Sequence, residues 1–210
     1  MSQRQVVGFV GLISAGKSTA ANILVQDRGY KSVAFAGALK DAVSAIFSWP
    51  RYLLEGDTLE SREFRETVDT TWQNRIGDLD IIAGRPVTPR LILQLMGTEV
   101  LRNHFHSDIW VLSVMKKIES DVNSSFVITD ARFKNEINLV RGVGGKIVRI
   151  KRGPDPEWFE TAKRFPELMP TTYPSVHASE WSWVSTETDF VVENDGTIED
   201  LQNKIRTLEL

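Results

Sequence analysis

The sequence predicts an α/β fold built around a mostly parallel five-stranded sheet. Two observations favour this class. Short runs of β-branched and apolar residues alternate with longer segments of helical spacing, and a glycine-rich turn joins the first run to the first helical segment. A strand, a crossover helix and a further strand form the unit from which parallel sheets are built. The five predicted strands are residues 6–10, 32–35, 126–130, 146–150 and 190–193.

The first strand and the first helix are the most clearly marked elements. Residues 6–10 read VVGFV, an almost wholly apolar run of the kind that parallel sheets bury. The helix predicted at residues 17–28 carries small and apolar side chains on one side, and Gly29 is its stop signal. Further helices are predicted at residues 39–47, ended by Trp49-Pro50, at 135–141, before the turn 142–145, and from about residue 198.

Two stretches interrupt the alternation of strands and helices. Residues about 50–89 are rich in Arg, Asp and Glu, and residues about 152–176 hold five of the eight prolines and several basic residues. Neither stretch contains a clear strand. We expect both to be insertions over the open edge of the sheet, where loops commonly carry function. The alternative is that they are two solvated connections.

Composition excludes several classes of protein. Hydrophobic residues make up 41% and charged residues 25% of the 210 residues, values typical of one folded globular domain. The formal charge of −3 gives no global basic field for nucleic acid or an anionic membrane. The absence of cysteine excludes disulfides, cysteine-ligated metals and thiol catalysis. With neither a signal peptide nor a run of ~20 apolar residues, we expect a cytoplasmic protein.

The glycine-rich turn fits the phosphate-binding pattern G-x-x-x-x-G-K-[ST] between a strand and a helix. Gly11 and Gly16 allow backbone geometries that let successive N–H groups converge on a polyphosphate at a helix N-terminus. Lys17 can reach the β- and γ-phosphates, and the Ser18 hydroxyl can ligate Mg²⁺. The pattern therefore predicts a nucleoside triphosphate, without choosing between hydrolysis and transfer.

The third strand ends in a carboxylate that is a candidate for the chemistry. Asp130 can hold a metal through water or orient the attacking oxygen; the alternative is a cap on the next helix. Two residues later, Arg132 can hold a phosphate with its planar fork, or form an ion pair with Glu136 at i+4. Open α/β sheets bind ligands in the crevice beyond such strand ends.

A second group of residues suggests an acceptor site. Lys40, after Gly37 and Ala38, adds a positive charge at a helix start, which would suit a second phosphate. Arg90, Gln94 and Thr98 recur at i, i+4 and i+8 of a predicted helix and so share one face. That face could place Arg90 on a phosphate and Gln94 on a base edge, or it could be a solvent stripe.

Several longer blocks make the chain recognisable. In order they are GLISAGKST, FAGALKDA, RLILQLMGTEVLRNHF, Trp110, VITDARFKNE, GGKIVRIKRGP, HASE and DFVVENDGTIEDL. With these blocks the chain resembles the bacteriophage deoxynucleoside monophosphate kinases, a branch of the P-loop nucleoside monophosphate kinase superfamily. The combination of LQ-x-x-GTE, TD-x-R-x-x-x-E and NDG is much more specific than the phosphate loop, which many families share.

The resemblance implies an enzyme that moves the γ-phosphoryl group of ATP to a deoxynucleoside monophosphate, with Mg²⁺. It implies a three-layer P-loop kinase fold in one domain over residues 1–210. The core would comprise residues about 1–36, 90–151 and 177–210, with a monophosphate-binding insertion at about 37–89 and a lid at about 152–176. The partners would be ATP and the acceptor, and no stable binding of nucleic acid or membrane is expected. The resemblance leaves open whether the chain forms a homodimer. A phage-encoded chain would work in the host cytoplasm.

The resemblance also implies roles for individual residues. Lys17, Asp130 and Arg132 would be catalytic, and Ser18 and Asp130 would hold the metal. The residues that would bind ATP are Gly11, Ser14, Ala15, Gly16, Lys17, Ser18 and Thr19 in the loop, and Asn194, Asp195 and Gly196 in a turn near the adenine. The residues that would bind the acceptor are Lys40, Arg90, Gln94, Gly97 and Glu136.

The residues leave other functions as alternatives. One is a kinase for another small acceptor, such as dephospho-coenzyme A. Another is a nucleotide-hydrolysing switch or motor, although a GTPase is expected to carry N-K-x-D and this chain has Asn194-Asp195-Gly196 at its late strand. A catalytically dead nucleotide-binding module is disfavoured by the retention of Lys17, Ser18 and Asp130.

Overall fold

A computed structural model describes residues 4–210 and contains a five-stranded sheet in the order β2-β3-β1-β4-β5. All four strand pairs are parallel. The predicted α/β fold with a five-stranded parallel sheet is therefore confirmed. The strands are β1 (Val6–Val10), β2 (Lys31–Val33), β3 (Phe126–Ile128), β4 (Lys146–Lys151) and β5 (Phe190–Glu193).

Eleven α-helices, two 3₁₀ turns and one π-helix lie in the described part of the chain. The α-helices are α1 (Lys17–Arg28), α2 (Gly37–Phe47), α3 (Leu59–Glu66), α4 (Thr70–Ile76), α5 (Pro89–Gln94), α6 (Ile109–Ser120), α7 (Lys134–Gly142), α8 (Phe159–Arg164), α9 (Met169–Thr172), α10 (Ala178–Trp181) and α11 (Ile198–Arg206). The 3₁₀ turns are Arg51–Leu54 and Pro166–Leu168, and the π-helix is Leu95–Phe105. Within residues 4–210 the structure has no helix with the length and apolar character of a membrane span.

The bounds of β2 and β3 differ from those predicted. Both strands end two residues earlier, at Val33 and Ile128. Beyond these ends a side-chain contact joins the two segments: the carboxylate of Asp130 accepts a hydrogen bond from the main-chain N–H of Phe35 at 2.9 Å. The candidate site residue Asp130 therefore lies just beyond the carboxyl edge of the sheet.

Helices cover the sheet on both faces. On one face α1 and α11 bury alternate strand residues such as Val7, Phe9 and Val148 with Leu24 and Ile205. On the other face α7 lies so close to β1 that a Cβ at Gly8 would be 3.2 Å from Val140. The result is the three-layer arrangement that the sequence predicts, with helices on both sides of a buried parallel sheet.

Helix α1 has the predicted bounds. It begins at Lys17, directly after the glycine-rich turn, and ends at Arg28. The next residue, Gly29, has a left-handed backbone (φ 68°), and its N–H donates to the carbonyl of Leu24. A glycine in this conformation is a common helix terminator because it carries no Cβ penalty. The start of α1 fixes the position of the phosphate loop relative to β1.

The chain divides into two compact units, one formed by residues 4–35 and 114–210 and the other by residues 36–113. The second unit is longer than the predicted insertion 37–89, since residues 90–113, predicted to belong to the core, cluster with it. Two contacts explain the difference. Trp110 Nε1 donates to the carbonyl of Gly97 at 2.9 Å, and a Cβ at Gly97 would lie 2.7 Å from Leu39 in α2. Residues 152–176 cluster with the first unit.

Helix α5 confirms the predicted helix only as far as Gln94. Thr88 caps it, accepting a hydrogen bond from Leu91 N at 3.2 Å, and Pro89 occupies its first turn. From Leu95 the chain continues as a π-helix through Phe105, whereas the predicted helix covers residues 90–99. Long π-helices are rare and are enriched at functional sites.

Gly145 in the turn before β4 provides a test of the packing. An added Cβ would lie 2.6 Å from the carbonyl oxygen of Val6 and 2.8 Å from that of Val140, both main-chain atoms. We expect Gly145→Ala to lower the free energy of unfolding by about 1–3 kcal/mol, measured by urea denaturation. The matched control is Gly142→Ala at the end of α7, where a Cβ meets nothing within 4 Å. Its stability should be unchanged or raised by up to about 1 kcal/mol. Equal effects at both positions would contradict the packing.

Candidate active site

The phosphate loop between β1 and α1 depends on left-handed backbone at three residues. Gly11 has φ 145°, Ser14 has φ 61° and Gly16 has φ 102°. A Cβ at Gly11 would collide with the carbonyl oxygen of Ile150, and one at Gly16 would collide with the side-chain amide of Asn194. Glycine is thus required at both positions, because a side chain would strain the backbone and would also clash with the neighbouring atoms. Positive φ values of this kind occur in loops whose N–H groups form an anion-binding concavity.

Lys17 folds back over this loop. Its Nζ donates to the carbonyl oxygens of Gly11 and Leu12, both at 2.8 Å. The pKa of Lys17 is lowered from 10.5 to about 8, first by burial and then by the nearby charge of Arg132, while Glu180 and Asp130 act in the opposite direction. A polyphosphate bound in the loop would add negative charge and favour the protonated lysine.

Asp130 lies just beyond β3, the strand next to β1 in the sheet. Its Oδ1 accepts the Phe35 N–H, and its charge acts on Lys17, so the structure brings these predicted residues into one neighbourhood. The carboxylate of Asp130 and the exposed hydroxyl of Ser18 are hard oxygen donors. Mg²⁺ is commonly held by one or two such groups together with phosphate oxygens and water, and these residues fit that chemistry.

Arg132 does not make the predicted alternative ion pair with Glu136. Its Nη1 donates to Oε1 of Glu180 at 3.0 Å and lies 3.4 Å from Oγ of Ser179. Glu136 is 3% exposed, and its Oε2 accepts the main-chain N–H groups of Arg132 at 2.7 Å and Phe133 at 3.1 Å. The i+4 ion pair is wrong because this carboxylate satisfies main-chain donors at the start of α7. The role of Glu136 in acceptor binding stays a prediction.

The turn after β5 is tied to the phosphate loop. Asn194 Nδ2 donates to the carbonyl of Ala15 at 2.8 Å, and Asp195 Oδ1 accepts the Gly153 N–H at 2.6 Å. Gly196 lies against the side chain of Asp200, which caps α11 with Thr197. The structure thus places this predicted turn beside the loop, while its contact with adenine stays a prediction.

Four of the five predicted acceptor residues lie in the second unit, where two of them are already paired, whereas Glu136 lies in the first. Lys40, whose side chain is 16% exposed, contacts Glu55 at 2.5 Å, and Arg90 forms an exposed ion pair with Glu66. Gln94 and Thr98 are exposed, as a shared polar face requires, whereas Gly97 is buried against Leu39. Gly97 therefore has a packing function here, and its contact with an acceptor stays a prediction.

Sequence reasoning missed two further cations of this unit. Arg51 contacts Asp41 at 2.6 Å and also pairs with Glu55, which accepts from Lys40 as well. Arg65 is half-buried, and its pKa is lowered by burial and then by the charge of Arg90. The sequence shows that residues 50–89 are charged, but it gives no spacing that singles out these two arginines.

Comparison with known proteins places the chain in a family. The sequence model of deoxynucleotide monophosphate kinase matches residues 52–205. A deoxynucleotide monophosphate kinase homologue of Acanthamoeba polyphaga mimivirus is 28% identical over 161 residues, covering 70% of this chain and 74% of the viral protein. The deoxynucleotide monophosphate kinase of Enterobacteria phage T4 is 24% identical over 148 residues, 69% of this chain and 54% of that protein. The family predicted from the sequence motifs is confirmed.

A solved structure also aligns along the whole chain. The dephospho-CoA kinase from Campylobacter jejuni covers 98% of this chain and is itself covered to 95%, at 16% identity and a TM-score of 0.49.

The lowered pKa of Lys17 gives a testable dependence of stability on pH. Between about pH 8 and 10.5 the unfolded chain binds the lysine proton while the folded chain has released it, so the stability of the folded protein rises with pH across this window. We expect Lys17→Met to remove a rise on the order of 2 kcal/mol, after allowance for solvent screening. Urea denaturation at pH 7.5 and 10 would measure it, with the exposed Lys116→Met as control. A slope shared by all three proteins would contradict the prediction.

Proposed function

We propose, since the chain belongs to the deoxynucleotide monophosphate kinase family, that it transfers the γ-phosphoryl group of ATP to a deoxynucleoside monophosphate, giving ADP and the diphosphate. The observation that carries the proposal is the phosphate loop, in which left-handed backbone, a helix N-terminus and Lys17 converge. Such a loop binds the phosphates of nucleoside triphosphates. The proposed reaction would use the nucleotide pool of the cytoplasm.

In this reaction the phosphate loop would hold ATP. Main-chain N–H groups of residues 11–19 would surround the β- and γ-phosphates, and Lys17 would move its ammonium group from the loop carbonyls to the phosphate oxygens. Two hydrogen bonds of 2.8 Å to neutral carbonyl oxygens would be exchanged for hydrogen bonds to charged phosphate oxygens. Asn194 would keep the loop in shape through its hydrogen bond to Ala15.

Asp130 and Arg132 would act at the transferring group. Phosphoryl transfer requires positioning and charge neutralisation more than covalent chemistry. Mg²⁺ held by Ser18 and Asp130 would supply neutralisation of the phosphate charge. Arg132 would contact the transferring phosphoryl group with its planar fork, which suits phosphate oxygens.

The acceptor would be bound by the second unit. Arg90 would bind the phosphate or sugar, and Lys40 would contribute a second positive charge. Gln94, which is exposed on the same helix face as Arg90, would contact a base edge because an amide both donates and accepts hydrogen bonds. Each cation would exchange its present carboxylate partner, Glu66 or Glu55, for the anionic acceptor.

ADP formation with and without acceptor tests the proposal. The purified chain is incubated with ATP and MgCl₂ alone, with each of dTMP, dGMP, dCMP and dAMP, and with dephospho-coenzyme A. We expect ADP to form strongly only with one or more of the deoxynucleotides. Acceptor-independent ADP formation would indicate a hydrolase, and turnover only with dephospho-coenzyme A would indicate a different kinase; either result would refute the proposal.

Asp130→Asn tests the proposed role of the strand-end carboxylate. Asparagine keeps the Oδ1 acceptor for the Phe35 N–H, so the fold should persist. We expect kcat to fall on the order of 10²-fold or more, because charge at the transferring group is lost. Binding of ATP, measured by calorimetry, should change far less, since the loop amides hold it. A variant with the kcat of the parent across a MgCl₂ titration would remove Asp130 from the mechanism.

Arg90→Ala tests the acceptor site, with Glu66→Ala as the matched control. We expect Arg90→Ala to raise KM for every accepted deoxynucleotide about tenfold, because a phosphate contact carries no base information and is typically worth ~1–3 kcal/mol. Glu66→Ala removes only the competing carboxylate, so KM should stay equal or fall. If Arg90→Ala shifts the KM for ATP alone, the acceptor lies elsewhere.

A further inference from the structure

Glu180 lies at the phosphate site, although its block HASE has no predicted role. Its Oε1 accepts a hydrogen bond from Nη1 of Arg132 at 3.0 Å, across 48 residues of sequence. The two side chains are 21% and 39% exposed, so the ion pair is partly shielded from water. Shielding strengthens such a contact relative to an exposed ion pair.

Short-range hydrogen bonds fix the position of Glu180. It belongs to α10, a single helical turn that begins after His177. Nδ1 of His177 accepts the N–H of Ser179 at 3.2 Å, and Trp181 Nε1 donates to the carbonyl of Val176 at 3.3 Å. The carboxylate is thus presented from a capped turn with a defined orientation.

The guanidinium group of Arg132 is anchored through its Nη1 atom. Its Nη1 donates a hydrogen bond to Glu180 and, at the margin, one to Ser179. Within residues 4–210 its Nε and Nη2 make no hydrogen bond or ion pair. Because the guanidinium is planar and rigid, anchoring one nitrogen also orients the other donors.

The same carboxylate acts on Lys17. Its negative charge raises the pKa of Lys17, against the larger lowering by burial and by Arg132. Glu180 therefore lies within electrostatic reach of both cations that we assign to the phosphates of ATP. It partly offsets the repulsion between them, which would otherwise favour separation of the two side chains.

We propose that Glu180 is a positioning residue that holds the guanidinium of Arg132 in the orientation in which it contacts the transferring γ-phosphoryl group. An unanchored arginine loses rotamer entropy when it binds. The ion pair with Glu180 restricts the arginine side chain before the phosphate binds, so less entropy is lost on binding, as with preorganised catalytic groups. The inference rests on the proposed phosphoryl transfer for its effect on kcat.

Glu180→Gln is the principal variant, because it keeps the shape of the side chain and removes the charge. We expect kcat to fall about tenfold or more, while the KM for ATP rises only about threefold, because the phosphate loop holds most of the nucleotide. The matched control is Asp27→Asn, which breaks the ion pair with Arg206 at the opposite end of α1. Its kcat should equal that of the wild type.

A double-mutant cycle separates positioning from a structural effect. Once Arg132→Ala has removed the guanidinium, adding Glu180→Gln should lower kcat by less than about threefold, since Glu180 acts through Arg132. Independent effects that multiply would overturn the inference, as would wild-type kcat in folded Glu180→Gln. If that variant does not fold, Glu180→Asp replaces it: the charge stays but the anchor is withdrawn by one methylene. Its kcat should fall, and wild-type kcat would overturn the inference.

A binding measurement without acceptor distinguishes failure of this inference from failure of the proposed function. Calorimetry gives the Kd for a non-hydrolysable ATP analogue and for ADP, which lacks the γ-phosphate. We expect the wild type to prefer the triphosphate and Glu180→Gln to lose about threefold or more of that preference. An unchanged ratio would overturn the inference. A wild type that phosphorylates no deoxynucleotide would refute the proposed function, yet leave this ratio to decide the role of Glu180.

Discussion

The rest of the first unit depends on the close approach of the phosphate loop to the ends of two neighbouring strands. Gly11 lies against the main chain at Ile150 in β4, and Gly16 lies against Asn194, directly after β5. The parallel register sets both distances, with Val10 beside Arg149 and Ile150 beside Val192. A shift of one residue in either pair would present a different group to the loop. The register of the sheet therefore determines which atoms the phosphate loop meets, and so constrains its shape.

The electrostatics of the unit follow from that constraint. The phosphate loop brings Lys17 close to Arg132 in a partly buried place, where their like charges destabilise one another. Carbonyl oxygens of the loop and the carboxylates of Asp130 and Glu180 compensate in part. Charge arrangements of this kind, unfavourable for stability and favourable for binding, are characteristic of functional sites.

Elements with local sequence signals could be predicted closely. β1 and α1 have the predicted bounds because an almost wholly apolar run, a glycine-rich turn and a terminal glycine mark them, and β5 has them because the turn Asn194-Asp195-Gly196 follows it. The ends of β2 and β3 were misplaced because they depend on the hydrogen bond between Asp130 and Phe35, two residues far apart in sequence. The same reason explains the unit boundary, which depends on contacts of Gly97 with Leu39 and Trp110.

The candidate site likewise combines residues that short-range sequence patterns identify with contacts between residues far apart in the sequence. The loop motif and the strand-end Asp130 could be identified from the sequence, since both depend on short-range patterns. The partner of Arg132 could not: spacing favours Glu136, but that carboxylate caps α7, and Glu180 takes its place from 48 residues away. Arg51 and Arg65 were missed because a charged segment has no periodicity that shows which residues converge.

The lowered pKa of Lys17 has a chemical consequence beyond charge. An amine with a pKa of about 8 is unprotonated in roughly a fifth of molecules at pH 7.4, compared with about one in a thousand at the ordinary lysine value. An unprotonated amine is a nucleophile, as in enzymes that form Schiff bases through desolvated lysines. In this protein Lys17 is therefore the side chain that an acylating reagent or an aldehyde would modify in preference to ordinary surface lysines. Bound phosphates would suppress that reactivity by keeping the amine protonated.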